Sequence, residues 1–145
     1  MIGIFNYTKC MVQPSDAINL ACSEPLPADA VRGLQYFNTG DYFEAHEYLE
    51  TAWRNESRQI RELYRGVLQV AVGYYHLTRG NYIGAKKMFH RSRRFLDLLP
   101  AVCQGINLAQ LRIDMDRVEA EMTLLGPEKI GSFNRSLLKR VEYQL

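Results

Sequence analysis

One pattern constrains this chain more than any other. Shifting the sequence by 40 residues brings Gly33, Gly40, Tyr42 and Ala45 onto Gly73, Gly80, Tyr82 and Ala85. The shared order is glycine, a polar residue, tyrosine, two further residues and alanine. Such an order suits a helix that turns tightly into the next: glycine frees the backbone, the aromatic ring wedges between helices, and alanine permits close approach. The chain therefore reads as two related helical hairpins, one turning at Gly40 and the other at Gly80.

The surrounding periodicity is helical. Helices are predicted over about 28–39, 42–54, 58–79, 82–99 and 108–125, with Gly40, Gly80, Pro100 and Gly126-Pro127 as stops and Ser57 as a candidate cap for the third. That third helix is apolar on nearly every side, which marks it as central and buried. The last shows one apolar seam through Leu108, Leu111, Met115, Val118, Met122 and Leu125, suited to packing within the chain or to a dimer face. A further short helix is expected over Leu137 to Tyr143. The glycine turn is similar to that inside a tetratricopeptide repeat, but two hairpins are too few for a solenoid. The fold class is all-α: a compact bundle of about five helices, with two tetratricopeptide-like hairpins around a long central helix. The expected organisation is an arm over 1–27, extended or lying on the surface and closed by Pro25-Leu26-Pro27, a bundle over 28–126, and a tail over 127–145 packing on it.

Composition excludes little and directs much. With 145 residues, one core is expected rather than two. A net charge of +2 does not by itself call for nucleic acid or an acidic partner. Cys10, Cys22 and Cys103 are odd in number, widely separated and free of any Cys-x-x-Cys pair. They indicate neither a disulfide framework nor a zinc knuckle, and they favour a reducing compartment. The first residues lack the features of a signal peptide, and no apolar run of about 18 residues predicts a membrane span. The expectation is a cytoplasmic protein, monomeric or a homodimer.

The candidate site comes from a polar line on the buried helix. Glu62, Arg65, Gln69 and His76 fall in one narrow sector, with Gly73 between them. On the preceding helix, His46 shares a face with Tyr42, Ala45, Leu49 and Trp53, and Glu50 stands one turn beyond it. Antiparallel pairing sets Glu50 opposite Arg65, His46 opposite Gln69, and His76 near Asn38. Buried polar groups without partners cost roughly 1–3 kcal/mol each, so the line must meet other polar groups or a cavity.

Three chemistries suit this cluster. It could be a self-satisfied network that fixes helix register, built on a Glu50–Arg65 pair. It could line a small-molecule pocket in which His46, Glu50 and His76 are candidate catalytic groups. Or His46, Glu50 and His76 could hold a divalent metal, which the nearby arginine disfavours. A helical protein-interaction module using the tandem hairpins is the alternative from another class. The basic side of the fourth helix, with Lys86, Lys87, His90, Arg91 and Arg94, lacks interleaved aromatic residues and reads as a solvated face rather than a nucleic-acid surface. Trp53 reads as a core anchor whose indole N–H requires an acceptor, or as a platform for a ligand.

Two motifs also carry a resemblance. The run Phe37-Asn38-Thr39-Gly40-Asp41-Tyr42-Phe43-Glu44-Ala45-His46-Glu47-Tyr48-Leu49-Glu50-Thr51-Ala52-Trp53-Arg54 is one. The other is Tyr64-Arg65-Gly66-Val67-Leu68-Gln69-Val70-Ala71-Val72-Gly73-Tyr74-Tyr75-His76, continued by Arg79-Gly80-Asn81-Tyr82-Ile83-Gly84-Ala85. Together, over about residues 30–100, they resemble the bacterial family known as domain of unknown function 309. That resemblance implies a compact helical fold without an established activity. It also implies Asn38, Glu44, His46, Glu47, Glu50, Trp53, Gln69, His76 and Asn81 as the positions of interest. Neither the resemblance nor the spacing says whether the protein is an enzyme.

Overall fold

A computed structural model describes residues 14–145. Among these, six α-helices follow one another: α1 (Pro14–Cys22), α2 (Ala28–Asn38), α3 (Tyr42–Asn55), α4 (Arg61–Thr78), α5 (Tyr82–Leu96) and α6 (Leu108–Leu125). A two-stranded antiparallel hairpin, β1 (Val102–Cys103) and β2 (Ile106–Asn107), joins α5 to α6. Two 3-10 turns, Pro127–Ser132 and Arg135–Leu137, lead to the C-terminus. The fold is predominantly helical, as the periodicity predicts.

The two glycine turns are built alike. Gly40 and Gly80 have φ of +85° and +72°, a left-handed conformation that glycine adopts without a Cβ clash. At the first, Gly40 N–H donates to Phe37 O at 3.1 Å and Asp41 N–H to Tyr36 O at 2.9 Å. At the second, Gly80 N–H donates to Leu77 O at 3.1 Å and Asn81 N–H to His76 O at 2.8 Å. Both are Schellman ends, which satisfy the last helical carbonyls and reverse the chain. The repeat extends into the packing. A Cβ on Gly33 would lie 2.6 Å from Leu49, and one on Gly73 would lie 2.5 Å from Phe89. Ala45 and Ala85 are both fully buried. Each hairpin, α2–α3 and α4–α5, therefore closes on a glycine of its first helix.

The core lies around α4, with Leu63, Tyr64, Val67, Val70, Ala71 and Tyr74 at 2% exposure or less. Tyr74 stacks edgewise on Tyr42 and Phe89. Burial drives its hydroxyl pKa well above the usual phenol range. The α6 seam is buried from Leu108 to Met122 and serves packing within the chain.

Four expectations need correction. First, α1 occupies residues 14–22, with Ala21 and Cys22 buried, so this part of the arm is helical and docked. Residues 1–13, including Cys10, lie outside the described residues. Second, α4 begins at Arg61, and Ser57 does not cap it; its N-cap, Ile60, makes no side-chain cap bond. The turn before it is instead held by Arg58, which binds both Glu24 and Glu56 and brings the Glu56 carboxyl down to about 2. Third, residues 138–145 are not helical. Tyr143 forms a bridge to Ile106, and Gln144 N–H donates to Gly105 O at 3.0 Å, so strand-type pairing with the hairpin replaces the helix.

Fourth, Cys22 and Cys103 form a disulfide across a sequence separation of 81. Local cysteine spacing carries no information about so distant a pair, and cysteine usage therefore no longer argues for a reducing compartment. Gln104, next to it, adopts φ +48° and is buried. Its side chain donates to Ala21 O at 3.0 Å and accepts from the Tyr64 hydroxyl at 2.7 Å. Burial raises that tyrosine to about 12, despite the opposing effect of the Gln104 bond. The β1–β2 hairpin thus fastens α1 to α4.

Closing an 81-residue loop restricts the unfolded chain by about 4.5 kcal/mol on the loop-entropy model. A Cys103→Ser variant should melt well below the wild-type protein. Reductant should lower the wild-type midpoint and leave the variant's unchanged, as thermal denaturation monitored by circular dichroism would register.

Candidate functional site

The outer side of α4 meets α3 along a cleft of about 240 Å³ lined by His46, Glu50, Trp53, Arg65, Leu68 and Gln69. Five of these are residues singled out in the sequence, and the antiparallel α3–α4 pairing brings them together. On α3, His46, Glu50 and Trp53 project from successive turns of the side that faces α4. On α4, Arg65, Leu68 and Gln69 answer them.

The hydrogen bonding inside the cleft is incomplete. His46 Nδ1, Trp53 Nε1 and Gln69 Oε1 are all buried and have no hydrogen-bond partner among the described residues. The side of His46 that is engaged is Nε2, which lies 3.4 Å from Glu50 Oε2. The expected Glu50–Arg65 pair does not form. Glu50 lies one turn before Arg54 on the same helix and accepts a bond from it at 2.6 Å. Arg65 instead lies 3.7 Å from Glu62, with its guanidinium against Trp53 at 5.5 Å and Phe95 at 4.7 Å. Arg61 also stacks on Trp53, at 4.4 Å from the ring centroid. Aromatic faces therefore take Arg65, which the sequence assigned to Glu50.

Three other candidates are placed elsewhere. Asn38 is spent on the tail: it donates to Val141 O at 2.9 Å and accepts from Val141 N–H at 2.7 Å. His76 forms no hydrogen bond with Asn38. Its Nδ1 is 3.3 Å from Asn81 Nδ2, and Asn81 in turn caps α5 through Gly84 N–H at 2.9 Å. Glu44 and Glu47 point to solvent. His46, Glu50 and His76 are consequently not gathered, and no group of three His, Cys, Asp or Glu side chains close enough to hold a metal ion occurs among the described residues. The signal that sequence reading missed is Arg61, which lies one turn before Arg65 and so reaches the same indole. On α5, Lys86, Lys87, His90, Arg91 and Arg94 are exposed and form no ion pair among the described residues.

Residues 30–88 match the family model described as "Domain of unknown function (DUF309)". The resemblance carried by the two motifs therefore holds, and this segment is a unit of that family. An uncharacterized protein of Aquifex aeolicus (strain VF5) is 30% identical over 109 residues, which cover 72% of this chain and 30% of that protein. Uncharacterized protein YpuF of Bacillus subtilis (strain 168) is 41% identical over 81 residues, covering 55% of this chain and 47% of YpuF. The chain thus spans less than half the length of either relative. The matched family segment contains both glycine turns and every residue that lines the cleft. No helix among the described residues is long and apolar enough to cross a membrane.

Burial lowers the His76 pKa from its ordinary value, because desolvation penalises the imidazolium. The sign of the stability effect follows. As pH falls through about 6.5 the unfolded chain takes up the proton first, so stability present above that pH is lost below it. The melting temperature should fall less between pH 7 and pH 5 in His76→Gln than in wild type. Equal falls would show that His76 is not an acid-sensitive group of the fold.

Proposed function

We propose that the α3–α4 cleft is a binding site for a small polar molecule. The observation that supports this is that three buried polar atoms without partners, His46 Nδ1, Trp53 Nε1 and Gln69 Oε1, belong to residues lining one cleft. A structural network would leave few such atoms, since each costs roughly 1–3 kcal/mol when buried and unbonded. Here they belong to residues of adjacent helices that line the same cleft. Gln69 is the sharpest case: it is 8% exposed and makes no hydrogen bond among the described residues.

His46 also has a carboxylate near one ring nitrogen, Glu50 Oε2 at 3.4 Å from Nε2, while Nδ1 is buried and unbonded. Binding needs only the unbonded atoms, and a proton-transfer role for His46 would require a ligand proton within reach of Nδ1.

A residue retained for binding rather than folding should be replaceable by an isosteric apolar one without loss of stability. Gln69→Leu is expected to melt at the wild-type temperature or about 2–4 °C above it, for a gain near 1 kcal/mol. In a thermal-shift screen of small polar compounds, those that stabilise wild type should fail to stabilise this variant. If Gln69→Leu instead loses 2 kcal/mol or more, Gln69 belongs to the scaffold and the binding-site reading falls.

A further inference from the structure

The polarity of the cleft points to a class of ligand, an inference that rests on the binding-site reading above. Its inner end is built from acceptors. His46 Nε2 lies 3.4 Å from Glu50 Oε2, and a proton on that nitrogen makes the buried, unbonded Nδ1 an acceptor. Gln69 Oε1 is the second unbonded acceptor.

The outer end is built from donors. Trp53 Nε1–H donates only and is unbonded. Beside it stand Arg61 and Arg65, both with their guanidiniums against the indole ring at 4.4 and 5.5 Å. Stacking holds a guanidinium in place while leaving its N–H edge able to form further bonds. Arg61 Nε is itself buried and unbonded.

Charge is unbalanced in the same direction. Glu50 is matched by Arg54 and Glu62 by Arg65, and no carboxylate among the described residues pairs with Arg61. Residues 1–13 contain no Asp or Glu that could supply one. One guanidinium, stacked on the indole that lines the cleft, therefore has no carboxylate partner among the described residues.

We infer that the cleft takes a small organic anion: its phosphate or carboxylate lies on Arg61, Arg65 and the Trp53 N–H, and a hydroxyl or amino group reaches in to Gln69 and His46. Charge-assisted, planar recognition of either head group is what stacked arginines favour over lysine. The space of about 240 Å³ restricts the ligand to a compact molecule.

Trp53 is the single tryptophan of the chain and sits at the site, so its fluorescence reports binding directly. The probes are glycerol phosphate, glycerate, glycerol and inorganic phosphate, each titrated against the full chain and checked by calorimetry. Glycerol phosphate or glycerate should give a saturable change, the better of the two identifying the head group. Inorganic phosphate should bind more weakly than glycerol phosphate, and glycerol should give no response over the same range.

Arg61→Gln and Arg65→Gln should each weaken the anion by about tenfold or more. Lys86→Gln, on the exposed face of α5, should leave it unchanged. Gln69→Leu should abolish the advantage of glycerol phosphate over inorganic phosphate.

Equal responses to glycerol and glycerol phosphate would overturn the anionic class while leaving the binding cleft standing. Equal weakening by Lys86→Gln and Arg61→Gln would mean diffuse charge attraction and would also overturn it. Silence with all four probes would reject this ligand class, whereas the melting behaviour of Gln69→Leu decides separately whether the cleft binds anything.

Discussion

Everything in this structure depends on how closely one helix can approach the next inside each hairpin. Gly33 and Gly73 place bare backbone against Leu49 and Phe89, where a Cβ would come within 2.6 and 2.5 Å. Gly66 does the same against Leu96. These contacts work only because the chain reverses tightly, and it does so through glycines at φ +85° and +72° that terminate both first helices in the same hydrogen-bond pattern. A left-handed residue at the turn and a missing side chain in the interface are thus two parts of one device, used twice.

The architecture was legible because that device is local. A turn that needs glycine, a wedge that needs an aromatic ring and a contact that needs alanine leave marks a few residues apart, and helical periodicity fills the spaces between. Long-range ties leave no such mark. Cys22 and Cys103 are joined across 81 positions, and nothing near either residue announces the other. The same holds for Asn38, whose side-chain amide binds the backbone of Val141 in the tail. Tail residues that pair with a short hairpin have no period of their own, so a helix was expected where extended pairing prevails.

The site was half legible for a related reason. Facing residues on two antiparallel helices can be counted from the turn, and that arithmetic brought His46, Glu50, Arg65 and Gln69 to one cleft. Partner choice among long charged side chains cannot be counted in this way. Glu50 takes Arg54, its neighbour one turn along the same helix, at little conformational cost, and Arg65 finds an indole and a phenyl ring instead. His76 was assigned by extending the line too far. By its position the polypeptide is already turning toward α5, and Asn81 captures the imidazole.

The placement of the cleft follows from where the glycines are absent. Within each hairpin the first helix contributes a glycine, and the pair closes without a gap. Between the hairpins, α3 and α4 meet through full side chains: His46, Glu50 and Trp53 against Arg65, Leu68 and Gln69. Long polar side chains supply the groups that line the space between the two helices. The 40-residue repeat does not extend to these groups, since His46 corresponds to Lys86 and Glu50 to His90, both exposed on α5. In the second hairpin those positions face solvent, since among the described residues no third hairpin packs on them. A duplicated scaffold therefore has a single interface between its copies, and that interface is where unsatisfied polar atoms can persist without weakening either hairpin.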